Sequence, residues 1–228
     1  MSTWTLVIDT ATGINIGLAH DGVGVDARTD TDSRRHVERL QPMIAGLLAA
    51  HAITASDLGS IGVGVGPGPF TGLRIGIVTA RTLGLVAGVA VRGFVTLDAI
   101  ALTARAAGRV NGGEFAVITD ARRRELYWAT YTAEGVRTSG PKVSAPGHIP
   151  DLPVIGPGIE AFPEVFAHRA VLDARHHLDA ALIAARLGEL VDEGLEPQYL
   201  RSPDAEIPRT RKSTLAPGRL RLPEGALG

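Results

Sequence analysis

The sequence contains no cysteine. Disulfide frameworks, thiolate nucleophiles and zinc-ribbon sites are thereby excluded, and a cytoplasmic setting is expected. Aromatic residues make up only 4% of the 228 residues, so the core must rest on Ala, Val, Leu and Ile. Basic surplus is also missing. The formal net charge is -1, whereas a chain that holds nucleic acid by itself carries an excess of Lys and Arg. No uninterrupted apolar run reaches the length of a membrane span. The first five residues lack the charged start and apolar stretch of a secretory leader, so neither leader nor membrane is expected. What the sequence has in quantity is glycine, 28 residues, which points to tight turns and close backbone approaches.

Hydrophobic patterning divides the chain into two similar halves. Residues 5–8 form an apolar, β-leaning run ending at Asp9, and residues 14–19 and 23–28 continue as strands across an Asp21-Gly22 hairpin turn. Ser33 is a suitable N-cap for a helix whose apolar face is Val37, Leu40, Ile44, Leu47 and Leu48. A strand over 61–65, a helix over about 73–87, a strand beginning at Val89 and a helix over 96–107 follow. The second half opens with strands at 115–119, ending at Asp120, and 125–132, joined by the polar turn Arg122-Arg123-Arg124. Strand, Asp, turn, strand and a Gly-containing turn thus occur twice, which suggests an internal duplication. Residues 141–157 read as loop around one short strand, and 159–166 and 178–191 as helices. The pattern predicts an α/β fold of two mixed sheets flanked by helices. It divides at residues 1–107 and 108–206, with a flexible basic tail over 207–228.

The segment Gly66-Pro67-Gly68-Pro69-Phe70-Thr71-Gly72-Leu73-Arg74-Ile75-Gly76 follows a strand and opens a helix, the setting of a phosphate loop. Its details do not match one. Gly72 is followed by Leu73 with no lysine near, and neither Gly64 nor Gly66 starts a G-x-G-x-x-G pattern. Pro67 and Pro69 remove two N–H groups that a phosphate cradle would use. Gly72, Gly76, Ala80, Gly84 and Gly88 then recur every fourth residue and make a helix ridge almost without side chains. Such a ridge admits another backbone, either from the protein's own sheet and first helix or from another subunit.

Other candidates for chemistry are isolated. Asp9, with Thr10 and Thr12, could face a phosphate or simply cap a turn, and Asp120 could oppose Asp9 across a cleft. Leu40 stands four residues after His36, so no helix-borne metal pair exists, and there is no G-x-S-x-G elbow.

Taken together, Ile8-Asp9-Thr10, the His36 helix entry, the 66–76 segment, Asp120-Ala121-Arg122 with Glu125 and Tyr127, and Tyr199-Leu200-Arg201 with Asp204-Ala205 resemble the TsaB (YeaZ) family. The resemblance spans residues 4–205. It implies an actin/Hsp70/sugar-kinase-like (RNase H-like) fold of two related domains. It also implies a cytoplasmic, non-catalytic dimerisation subunit of the complex that makes N6-threonylcarbamoyladenosine in tRNA. The partners implied are the catalytic TsaD, the ATPase TsaE, tRNA only through the complex, and a second copy of the chain as a homodimer. Ala11 stands where nucleotide-binding relatives favour glycine, so no cofactor, metal or catalytic residue is assigned. The expected docking surface is the first-helix face (Val37, Leu40, Ile44, Leu47, Leu48) with the ridge and its neighbour (Gly72, Leu73, Gly76, Ala80, Gly84). On that reading Gly76→Leu weakens association and leaves the monomer folded. Rival readings are an autonomous nucleotide-dependent phosphotransferase, a metallopeptidase of the same fold, and a homodimeric scaffold with other clients.

Overall fold

In the computed structural model, residues 3–31, 36–110 and 112–201 are described, and of His36 and Val37 only the backbone. The first sheet begins as a meander of β1 (Trp4–Asp9), β2 (Ile14–His20) and β3 (Val23–Asp30), each antiparallel to the next. Asp21 and Gly22 both have positive φ, 49° and 76°, as a two-residue turn matched to strand twist requires. After α1 (His36–Ala50), β4 (Leu58–Gly66) returns parallel to β1. Then α2 (Phe70–Ala87) leads to β5 (Val91–Val95), which lies parallel to β4, and α3 (Thr96–Ala106) follows directly. The strand order is β3-β2-β1-β4-β5.

The second sheet repeats the plan. β6 (Phe115–Asp120), β7 (Leu126–Tyr131) and β8 (Arg137–Ser144) form the meander, and β9 (Val154–Ile155) and β10 (Val171–Asp173) extend it in parallel. Its order, β10-β9-β6-β7-β8, is the first order with each strand replaced by its counterpart. The repeated pattern in the sequence is therefore a repeated topology, and the fold is the doubled α/β arrangement expected from the resemblance. Two short helices complete it, α4 (Pro163–Phe166) and α5 (Ala180–Ala185).

Side-chain alternation along the strands sets the layers. Leu6 and Ile8 of β1 face a core shared with Leu40, Ile44 and Leu47 of α1 and Leu73, Ile77 and Ala80 of α2. Val7 faces the other way, into a central core where α3 and α5 meet Phe115, Val117 and Tyr131 of the second sheet. Ala116, Ile118 and Trp128 cover the far face with Phe162 and Phe166. Helices, sheet, helices, sheet and short helices thus stack in order. Although α5 comes from the later half of the chain, it lies on β2 of the first sheet. A Cβ at Gly17 would stand 2.0 Å from the Ala180 carbonyl carbon, so only glycine admits that backbone.

Several elements differ from the sequence expectation. The helix expected over 178–191 is α5 followed by a 3-10 turn, Leu187–Glu189. Asp179 caps its start by accepting from the Ala181 and Leu182 N–H groups, and Arg186 leaves helical geometry at φ -117°. The helix expected over 159–166 is a 3-10 turn (Pro157–Ala161) and then α4, because Pro163 restarts the chain. Part of the 141–157 loop belongs to β8, where Pro141 falls at a register shift on an edge strand, a place that tolerates a missing N–H. Ser33 and the 207–228 tail lie outside the described residues.

Residues 190–201 strap the two halves together. The Glu193 and Gln198 N–H groups donate to the Gly93 and Val65 carbonyls at 3.0 and 2.8 Å. Arg201 donates to the Ala121 carbonyl at 2.8 Å and pairs with Glu125 at 2.9 Å. Gly17→Ala is expected to lift α5 from the first sheet and to cost about 1–3 kcal/mol of stability. A urea titration measures this as a lowered midpoint.

Candidate functional site

The end of β1 is packed rather than open. Asp9 and Thr10 are both fully buried. Thr96 Oγ1 donates to Asp9 Oδ2 at 2.6 Å and the Ala11 N–H to Asp9 Oδ1 at 2.9 Å. Thr10 Oγ1 donates to the Gly72 carbonyl at 2.8 Å, which ties the strand to the first turn of α2. The glycines of the central segment are the spaces into which these residues fit. A Cβ at Gly64 would sit 1.9 Å from Asp9 Oδ2, one at Gly68 2.8 Å from Ala11 Cα, and one at Gly76 2.3 Å from Thr10 Oγ1. Farther along, a Cβ at Gly84 would meet Val91 Cγ2 at 2.5 Å. Burial raises the Asp9 carboxyl above its ordinary value, with the Thr96 and Ala11 hydrogen bonds opposing the rise. Asp9 therefore opens into no cleft, and the expected pairing with Asp120 does not occur. Asp120 is exposed and accepts from the Arg122 N–H at 2.8 Å.

Most of the residues expected at the docking surface lie inside the monomer. Leu40, Ile44, Leu47 and Leu48 are buried in the monomer's own core, as are Leu73 and Ala80. Gly72, Gly76 and Gly84 are buried on the same side of α2. In the monomer the first-helix face and the small-residue ridge pack against the first sheet. The Val37 side chain lies outside the described residues.

The opposite side of α2 was not singled out from the sequence, and it is the more informative surface. Val78 is 60% exposed, Leu85 85% and Val86 61%. With Arg74, Arg81 and Thr82 they form an outward stripe along the helix. Next to α2, Pro42, Ala45 and Ala49 of α1 are also exposed. Three large aliphatic side chains exposed on a helix whose other side is core make a candidate contact surface. The signal was legible, because Val78 and Leu85 are seven residues apart and offset from the glycine ridge. By length and composition α2 is also the one helix among the described residues that could cross a membrane, but its inner side is core.

A second surface lies between the two sheets. A cavity of about 360 Å³ is bounded by the start of α2, the β6–β7 turn and the end of the strap. That turn is unusual, since Arg122, Arg123 and Arg124 have φ of 63°, 51° and 62°. The left-handed conformation costs roughly 1–2 kcal/mol per non-glycine residue. Here it is held by Ala121 N–H to Glu125 carbonyl and Glu125 N–H to Arg122 carbonyl bonds, both 3.0 Å, and by Arg201. Among the described residues, no three His, Asp or Glu side chains converge as metal ligands.

Comparison with known proteins places these features in context. A family model described as TsaD, tRNA N6-adenosine threonylcarbamoyltransferase, matches residues 30–183. An uncharacterized protein of Mycobacterium tuberculosis is 41% identical over 205 residues, covering 88% of this chain and 93% of the relative. The tRNA threonylcarbamoyladenosine biosynthesis protein TsaB of Escherichia coli is 38% identical over 128 residues, 55% of this chain and 54% of that protein. The solved structure of YeaZ from Pseudomonas aeruginosa superposes with a TM-score of 0.70 at 27% identity, covering 87% of this chain and 100% of that one.

Two predictions follow from the buried end of β1. Gly76→Leu is expected to unfold or strongly destabilise the monomer through the clash with Thr10, seen as a fall in thermal midpoint. Asp9→Asn removes a buried charge. Because its carboxyl pKa is raised on folding, the Asp9 contribution to stability is fully present below about 3.8, the ordinary value, and is progressively lost as pH rises through the raised one. The stability advantage of Asp9→Asn is therefore expected to be absent at low pH and to grow toward neutral pH, as measured by urea midpoints.

Proposed function

The chain belongs to the TsaB (YeaZ) family of tRNA threonylcarbamoyladenosine biosynthesis proteins, and from that premise we propose that it is the non-catalytic dimerisation subunit of the transferase complex. In this reading it binds and supports a TsaD-type catalytic subunit, works beside a TsaE-type ATPase in the cytoplasm, and meets tRNA within the complex. The N-terminal domain, residues 1–107, presents the docking face.

The observation that carries the reading is the outward stripe of α2. Val78, Leu85 and Val86 are exposed on a helix whose other side is already fixed in the core. Burying a large aliphatic side chain is worth about 1.5–3 kcal/mol, enough to make such residues anchors of an interface. The arrangement also supports a role without catalysis by this subunit. The carboxylate at the end of β1 accepts from Thr96 and Ala11, is closely approached by Gly64 and is kept from solvent, which supports a role as a structural fastening. A second copy of the chain can cover the same stripe when the catalytic partner is absent, so the homodimer and the heterodimer compete for one face.

Leu85→Asp puts a charge on that face without touching the core. It is expected to weaken association with the TsaD-type subunit at least tenfold and to leave the stability of the monomer within about 0.5 kcal/mol of wild type. Sedimentation velocity of the chain alone and with the partner measures both equilibria. Undiminished association rules out this docking face.

A further inference from the structure

The cleft between the sheets combines positive charge and aromatic faces, a pairing that the docking role leaves unexplained. Phe70 and Tyr199 stand with ring centroids 4.7 Å apart, and the Arg74 guanidinium lies 3.8 Å over the Phe70 ring. Arg74 Nε also donates to the Tyr199 hydroxyl at 2.8 Å, which fixes Tyr199 at the mouth of the cavity, where it is 37% exposed. Tyr127 lies deeper in the same lining. Arg122 lines the opposite side, and its side chain is 71% exposed although it stands 3.4 Å from Asp120. Arg123 and Arg124 continue outward on the same turn. Arg122 and Arg201 line the cavity together with Asp120, Arg74 braces its aromatic wall, and Glu125 pairs with Arg201. The net charge of the whole chain is -1, so this positive field is local. A field confined to one cleft beside flat rings fits a ligand that offers a phosphate and a base together.

We propose that this cleft seats one nucleotide unit of single-stranded RNA, with its base against the exposed Tyr199 ring and its flanking phosphates on Arg122 and Arg124. The proposal rests on the reading that the chain works in a tRNA-modifying complex, because the mouth is open and the arginines stand outside it, as a strand passing through requires. Holding the arginine turn to the strap through Arg201 keeps the charged and aromatic walls in one geometry. The contact is small, so the chain alone binds RNA weakly, in keeping with its near-neutral charge, and the contact adds to whatever the catalytic subunit binds.

The test uses a fluorescein-labelled, unstructured RNA of about 12 nucleotides, within the usual site-size range, and the full chain both alone and with the TsaD-type subunit. Anisotropy titrations are repeated over a range of salt. Arg122→Gln/Arg124→Gln is expected to lower the affinity of the complex about tenfold and to reduce the slope of log affinity against log salt by about 1.4, the value for two lost phosphate contacts on a single strand. Tyr199→Leu is expected to lower affinity several-fold with the slope unchanged. Thermal midpoints and sedimentation with the partner remain as in wild type. Unaltered affinity and slope in both variants overturn the proposal, as does saturable AMP binding without RNA binding. Failure of the wild-type chain to join the TsaD-type subunit, with arginine-dependent RNA binding intact, overturns the docking reading and leaves this one standing.

Discussion

The structure depends on how closely the end of β1 approaches the start of α2. Thr10 donates to the Gly72 carbonyl, and Gly64, Gly68 and Gly76 leave the volume that Asp9, Ala11 and Thr10 occupy. With the strand end fixed there, the inner side of α2 lies against Leu6 and Ile8, and Asp9 reaches Thr96 at the start of α3. One small contact zone thus joins a strand, the helix on its one face and the helix on its other. The glycines are selected for what they exclude. A side chain at any of these positions would meet a backbone or a buried polar group with no room to move.

Much of the fold was legible in the sequence because it rests on local signals. Asp21-Gly22 specifies its turn by positive φ, the strand ending at Asp9 recurs at Asp120, and the doubled topology follows from that recurrence. The short helices were overestimated because apolar spacing continues through Arg186 and Pro163, where the backbone leaves the helix. The residues expected at the docking surface lie on the inner side of α2. Periodicity shows that Gly72, Gly76, Ala80 and Gly84 share a side, but it cannot say whose backbone comes near. That is decided by Thr10 and Val91, residues far along the chain. The same holds for Leu40, Ile44 and Leu47, whose apolar face was equally suited to a partner or to the first sheet. The three left-handed arginines had no sequence signal, since nothing in Arg-Arg-Arg favours that conformation.

Two surfaces are left over once the core is built, and they differ in kind. The outer stripe of α2 is apolar and suits a protein partner. The cleft between the sheets is basic and aromatic and suits a nucleic acid. They meet at Arg74, which stands on the outer side of α2 and also braces Phe70 and Tyr199. A subunit that docks by its helix therefore carries the cleft into the assembly in a defined orientation.

The measurement that bears most directly on this account is hydroxyl-radical footprinting of the chain with and without the TsaD-type subunit. The account predicts that Leu85, Val86 and Val78 lose reactivity when the complex forms, while Leu40, Ile44 and Leu47 stay unreactive in both states. A complex that forms with the α2 stripe as reactive as in the free chain would contradict it.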